Sequence, residues 1–277
     1  MNFYCSRTGD FVTIGRTALL ALLIAVSGAV RAVAAEPVPR VDHIVVVILE
    51  NRAYTQIIRN EEAPFINELA GRGAMFVNSR AIRKPSQPNY LALFSGSTQG
   101  VKDDKPHSRE APTLATALAG RGKNFVGYAE KRAKRKHKPW ETFKGQASYG
   151  QDMSQFPGQF DKLPDVSFVI PDDSHNMHSG SVRRADAWLK ERLGGYLDYC
   201  RDHRCLLILT FDEPSRGQKD TILTIVAGSQ VKAGVFAQRI NHYSVLRTIT
   251  DAMGIAALGE SAKVDPIFGI WVASPPQ

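Results

Sequence analysis

Three uninterrupted apolar runs constrain this chain more than any other feature: Ile44-Val45-Val46-Val47-Ile48-Leu49, Val166-Ser167-Phe168-Val169-Ile170 and Leu206-Leu207-Ile208-Leu209-Thr210. A strand with one wet face alternates polar and apolar residues, whereas a run without alternation reads as a strand covered on both faces. Helical patterns separate the runs. Phe65, Ile66 and Leu69 recur at helical spacing before Gly71 and Gly73, Pro112 opens a helix over Thr113 to Ala119, Val182–Tyr199 reads as a long amphipathic helix and Tyr243–Met253 as another helix. Further strands are expected at Ala74–Val77, Asn124–Tyr128 and Thr221–Ala227. The expectation is an α/β protein with a mostly parallel central sheet.

Each long run ends in oxygen-bearing side chains: Glu50-Asn51, Asp172-Asp173 and Asp212-Glu213. Parallel strands place their carboxyl ends on one edge, where α/β sheets bind ligands. Carboxylates gathered there repel one another unless a cation balances them. Oxygen ligands favour Mg, Mn or Ca, and Zn also accepts carboxylates. A second focus is Lys84-Pro85-Ser86-Gln87-Pro88-Asn89-Tyr90, just before the apolar Leu91, Leu93 and Phe94. Ser86 can cap a helix that carries Pro88 in its first turn, and a hydroxyl at a helix N-terminus suits a nucleophile. It equally suits a cap and nothing more. Lys84 and Asn89 are close enough in sequence to steady phosphate oxygens, although an exposed lysine and a helix-surface amide are the simpler readings.

The chain has 277 residues and a formal charge of +8, room for one sizeable core. Residues 1–35 read as a secretory signal, with Arg7 and Arg16 before an apolar run from Ala18 to Val30 and small residues Ala32-Val33-Ala34-Ala35 at a cleavage site. An uncleaved anchor is the other reading. Loss of Arg7, Arg16, Arg31 and Asp10 leaves +6 on a single domain, residues 36–277, expected in the periplasm or secreted. In such a compartment Cys200 and Cys205 could close a small loop. Periodicity disappears over about 130–163, which starts with the basic run Lys131 to Lys138 and then carries Trp140, Phe143, Tyr149, Phe156 and Phe160. Such a stretch inside a domain is expected to be a functional, lid-like insertion. The net charge favours anionic partners in general, while the basic run itself reads more readily as a solvated loop than as a binding surface, and no nucleic-acid motif accompanies it. His137 could reach a site beneath it.

Five blocks together resemble the bacterial phosphoesterase family of the alkaline-phosphatase-like superfamily, which contains acid phosphatases and phospholipases C. They are His43 to Tyr54 (HIVVVILENRAY), Lys84 to Gly100 (KPSQPNYLALFSGSTQG), Val166 to Ser181, Phe211-Asp212-Glu213 and Asn241 to Ile249 (NHYSVLRTI). The resemblance spans about His43 to Trp271. It implies a three-layer α/β/α sandwich with one divalent metal at the strand ends. By position it implies Glu50, Asn51, Asp212 and Glu213 as metal ligands, Ser86 as the nucleophile that also touches the metal, and His178 and His137 near the phosphoryl group or leaving oxygen. The chain departs from the family where relatives commonly read Asn-Asp-Met-His-Asp-Gly. Here His175 to Gly180 is HNMHSG and Pro214-Ser215-Arg216 follows the acidic pair, so a second metal is not expected.

The implied function is an exported, metal-dependent phosphoesterase acting on small anionic phosphomonoesters through a phosphoserine. One rival is a phosphodiesterase or phospholipase C, whose basic and aromatic Lys131–Phe160 segment would meet a lipid surface. The other is a catalytically impaired metal- or phosphate-binding protein, suggested by Asn176, Ser179 and Pro214.

Overall fold

Alternate residues of the first strand face two separate cores. In β1 (His43–Leu49), Ile44, Val46 and Ile48 enter one apolar cluster while Val45, Val47 and Leu49 enter the other. This double burial is why the run shows no alternation. The computed structural model describes residues 1, 36–215, 217 and 221–272. The expected signal sequence therefore lies outside the described residues.

The other strands are β2 (Ala74–Arg80), β3 (Phe125–Ala129), β4 (Gly150–Asp152), β5 (Val166–Ile170), β6 (Cys205–Phe211), β7 (Thr221–Ala227), β8 (Gly234–Phe236) and β9 (Ile240–Asn241). They form one mixed sheet in the order β4-β3-β5-β1-β6-β7-β2-β8, with β9 paired to β2. All pairings are parallel except those of β7 with β6 and β2. Among the described residues the α-helices are α1 (Tyr54–Ile57), α2 (Pro64–Arg72), α3 (Ser86–Ser95), α4 (Leu114–Ala119), α5 (Val182–Tyr199) and α6 (His242–Met253). Apolar residues of α3, α4 and α6 share one core, and those of α2 and α5 share the other. The result is the expected layered α/β arrangement, with β1, β2, β3, β5 and β6 ending on one edge. Among the described residues no helix is long and apolar enough to cross a membrane.

Two local features tie this frame together. Asp186 of α5 accepts from the backbone N–H groups of Phe65 and Ile66 at 3.0 and 2.8 Å, capping α2 from across the layer. Cys200 and Cys205 are disulfide-bonded between the end of α5 and the start of β6.

The aperiodic stretch after β3 is built of short 3-10 turns around β4, and its aromatics pack on the two cores. Trp140 and Phe143 are buried, and Trp140 lies over the backbone of Gly127 and Gly150 in the paired strands β3 and β4. Glycine in a strand often marks such a close approach.

Candidate active site at the carboxyl edge

Ser86 is the first residue of α3, and Pro85, not Ser86, occupies the cap position. Its hydroxyl is therefore not spent on capping. The loop before it is fixed by Asn89, whose Oδ1 accepts from the N–H groups of Ile82 and Arg83 and whose Nδ2 donates to the carbonyls of Arg83 and Pro85. Asn89 is thereby occupied in shaping the loop. Lys84 is likewise engaged, donating to the carbonyls of Pro214 and Ser215 at 2.7 and 3.0 Å. All ten residues of α3 are buried, as expected of a helix enclosed on every side.

Ser86 Oγ lies 3.4 Å from Glu213 Oε1 and accepts from Lys136 Nζ at 3.2 Å. Asp212 and Glu213 follow β6, while Glu50 and Asn51 follow the adjacent β1. Asn51 takes up a left-handed backbone (φ 52°), which asparagine tolerates better than most residues. In this pose its N–H reaches Asp212 Oδ1 at 3.2 Å and its side chain donates to Glu50 Oε2 at 3.0 Å. The N–H of Glu213 also donates to Asp212 Oδ1 (2.6 Å). Tyr90, one turn along α3 from Ser86, donates to Glu50 Oε1 at 2.9 Å.

The carboxylates are only partly compensated. Glu50, Asp212 and Glu213 are buried, and Asp212 Oδ2 and Glu213 Oε2 have no hydrogen-bond partner. Burial first, outweighing the attraction of Lys136, pushes the Glu50 carboxyl up to about 7. Burial and then the charge of Asp212 push Glu213 to about 7, and burial and then Glu50 hold Asp212 well above the ordinary carboxylate range. Unpartnered buried oxygens on mutually repelling acids fit a divalent cation. Glu50, Asn51, Asp212, Glu213 and the Ser86 hydroxyl supply the oxygen donors a hard ion takes.

His137 is fully buried. Its ring stacks on Tyr90 with centroids 5.0 Å apart, and Nε2 lies 2.8 Å from Glu50 Oε1 without hydrogen-bond geometry. Burial pulls its pKa down to about 4, so the ring is neutral near neutral pH. His178 is exposed beside Ser179. Burial, followed by the charge of Lys134, lowers its pKa as well.

Three residues at this site escaped the sequence reading: Lys136, Asp104 and Tyr90. Lys136 also pairs with Asp104 Oδ2 at 2.8 Å. Burial works against its charge, but Asp104 and the charge of Glu50 more than offset this and raise its pKa above the ordinary lysine value. Tyr90 carried a signal, because residues four apart share a helix face and Ser86 is four before it.

A neighbouring group, Glu130, Asp172 and His175, brings three potential ligand atoms within 4.8 Å of one another. Its atoms already have partners: Glu130 accepts from Asp172 N–H and Trp188 Nε1 and lies against His175 Nδ1, while Asp172 accepts from Ser174 N–H and Arg132.

The acidic cluster predicts a pH dependence of stability in protein stripped with chelator. Glu50 titrates at about 7 when folded against an ordinary 4.5. Its contribution is full below pH 4.5 and lost as the pH rises through 7, a swing of about 3 kcal/mol. His137 acts oppositely, losing its contribution as the pH falls from 6.5 through about 4. The chelated protein should melt higher at about pH 5.5 than at about pH 8. Added Mg or Mn should raise the melting temperature more at the higher pH, because ions compete with protons for the ligands. Equal melting temperatures at the two pH values under chelator would contradict this account.

The fold defines the class first. A protein in the alkaline phosphatase superfamily from Vibrio parahaemolyticus superposes with a TM-score of 0.59 at 12% identity, over 83% of this chain and 72% of that one. The phosphonate monoester hydrolase of Silicibacter pomeroyi gives 0.52 at 12% identity, over 82% and 76%. The chain thus shares the fold of these two proteins. The phosphoesterase family profile matches residues 56–256. A Mycobacterium tuberculosis phosphatidylinositol-3-phosphatase is 37% identical over 86% of this chain and 85% of its own length. A probable acid phosphatase of Kluyveromyces lactis is 24% identical over 77% of this chain, and a phosphate-repressible acid phosphatase of Penicillium chrysogenum 25% over 79%. The chain spans 58% and 60% of these two fungal relatives. The protein belongs to the phosphoesterase family and is a hydrolase of phosphoric ester bonds.

Proposed function

We propose that this is an exported, metal-dependent phosphomonoesterase that works through a phosphoserine at Ser86. The observation that carries the reading is the position of Ser86 Oγ between the Lys136 ammonium and an acidic cluster with unpartnered buried oxygens. The names of the relatives, one phosphatidylinositol phosphatase and several acid phosphatases, favour monoesters over diesters.

A divalent ion on Glu50, Asn51, Asp212, Glu213 and Ser86 would supply Lewis acidity at the phosphoryl oxygens and favour the ionised serine. The chain's own residues do the rest. Ser86 is held by the buried first turn of α3, so its oxygen attacks phosphorus from a fixed position. The Oγ–P bond forms as the bond to the leaving oxygen breaks. His178, at the exposed rim, gives that oxygen a proton. Water then attacks the phosphoserine, one of its protons returning to His178 as the Oγ–P bond breaks, which releases phosphate and restores Ser86. His137, enclosed and neutral, presses Glu50 and Tyr90 into place.

The test is hydrolysis of an aryl phosphate by the purified protein, with chelator and with Mg, Mn, Ca or Zn restored singly. Turnover lost to chelator and restored by one ion is the expected result. A folded, metal-loaded protein that cleaves a phosphocholine diester but no monoester would move the substrate to diesters. One that binds phosphate and cleaves neither would leave the impaired-protein reading.

A further inference from the structure

We propose that Lys136 is a catalytic residue, its ammonium holding both the Ser86 oxygen and a non-bridging oxygen of the transferred phosphoryl group, and that Asp104 is the positioning residue that aims it. The proposal rests on the reading of Ser86 as the nucleophile.

The basic run around Lys136 looks in sequence like a solvated loop, and most of it behaves so. Lys134 pairs with Asp173 and Lys138 with Glu141, at 2.5 and 2.6 Å, and neither pair involves Ser86. A 3-10 turn at Arg135–His137 sends three successive side chains to three destinations. Arg135 reaches Gln87, Lys136 reaches Ser86, and His137 lies under Tyr90. The Lys136 side chain is 14% exposed, so it is held and not swept through solvent.

Asp104 sets the aim. Its Oδ2 takes one N–H of Lys136 at 2.8 Å, and its Oδ1 accepts from the backbone N–H of Gln87, the residue after the nucleophile, at 3.0 Å. One carboxylate thus ties the lysine to the helix turn that carries Ser86. Arg135 locks the same loop, donating to the carbonyls of Asp104 and Lys105, each at 3.0 Å.

Two consequences follow for an arriving phosphoryl group. Asp104 already occupies the Gln87 amide, so that amide is not available to the anion and positive charge must come from elsewhere. An ammonium has three N–H donors. Asp104 takes one and Ser86 a second, while the third has no partner among the described residues. A non-bridging oxygen on phosphorus bonded to Ser86 Oγ is the nearest place for it. Lys136 lends charge and keeps its protons, while the Ser86 oxygen–phosphorus bond forms and the leaving-group bond breaks. Donors set in advance on developing charge are among the largest contributors to catalysis.

The experiment compares the wild type with Lys136→Ala, Lys136→Gln, Lys136→Arg, Asp104→Asn and the Asp104→Asn/Lys136→Ala double variant on an aryl phosphate, with Lys131→Ala as a control. Inorganic phosphate is the probe of anion binding. Loss of one such donor is expected to lower kcat by roughly 10²- to 10³-fold, in both Lys136→Ala and Lys136→Gln. Inhibition by phosphate should weaken about tenfold or more, the scale of one charge-assisted contact. Metal content and melting temperature should stay at wild-type values. Lys136→Arg should keep part of the activity, ethylammonium should restore part of it to Lys136→Ala, and the double variant should be no worse than Lys136→Ala, since the two residues act as a unit. Wild-type turnover and phosphate inhibition in a folded Lys136→Gln would overturn the proposal. So would losses that add in the double variant without any change in phosphate inhibition, the pattern of a structural ion pair. An inert wild type would overturn the phosphoesterase reading and this proposal with it; an active wild type indifferent to Lys136 would overturn this proposal alone.

Discussion

Ser86→Ala is expected to yield a folded, metal-loaded protein whose aryl phosphate turnover falls by roughly 10⁴- to 10⁶-fold, the range seen when a nucleophile is deleted from an intact site. The fold should tolerate the change. Ser86 Oγ makes one long contact with Glu213 at 3.4 Å and one with Lys136 at 3.2 Å, and it caps nothing. Removing a hydroxyl so lightly bonded costs on the order of 1 kcal/mol. The melting temperature should therefore shift by only a few degrees.

The variant separates the proposed mechanism from its nearest competitor. If a metal-activated water attacked phosphorus directly, Ser86 would be one ligand among five, and its loss would weaken metal binding while leaving rates within reach of wild type at saturating ion. A phosphoserine mechanism leaves no such recovery. Rapid acid quenching of the wild type with substrate, followed by peptide mass spectrometry, should find one phosphoryl group on the peptide carrying Ser86. Recovery of turnover by added metal in Ser86→Ala, or an unmodified peptide under conditions that accumulate the intermediate, would sink the phosphoserine.

The elements of this fold were legible because their periods are strong. The doubly buried β1, β5 and β6 show as unbroken apolar runs, and the long α5 shows as an amphipathic stripe. The direction of β7 was not legible from its own residues, since Thr221–Ala227 would be apolar either way round. The cue lay outside it: the stretch between Phe211 and Thr221 is too short for the crossover a parallel neighbour needs. At the site, acids that end adjacent strands could be read together, because strand order and direction carry them to one edge. Lys136 and Asp104 could not. Both lie in aperiodic segments, and nothing local distinguishes Lys136 from Lys134 or Lys138, which pair with Asp173 and Glu141 instead. His137 gave no sign of its burial for the same reason. Ser86 was legible as the start of a helix but not as the first residue inside it, a difference of one position that decides whether its oxygen caps or reacts.

Gly127→Ala on β3, 41 residues of sequence from Ser86, the nearest proposed ligand, is expected to damage the site as much as many changes within it. A Cβ at Gly127 would sit 2.1 to 2.4 Å from three ring atoms of Trp140, far inside contact distance. The ring cannot swing away easily: it is 1% exposed, and its Nε1 edge lies against Gly150, where a Cβ would come within 2.3 Å. Overpacking of a closed core costs about 1–3 kcal/mol and sometimes more, or roughly 2–4 °C of melting temperature per kcal/mol in a domain of this size. Trp140 follows the turn that carries Lys136 and His137 by only three residues, so relief of the clash displaces that turn. A shift of about 1 Å there can cost on the order of 10²-fold in rate. The loss should therefore appear in kcat even at temperatures where the variant is fully folded. Trp140→Phe in the Gly127→Ala background removes the indole's second ring, where the clash falls, and should recover stability and activity beyond what either single change would allow. If Gly127→Ala kept the wild-type melting temperature and kcat, then the indole packed on two strand glycines would not be what holds Lys136 and His137 in place.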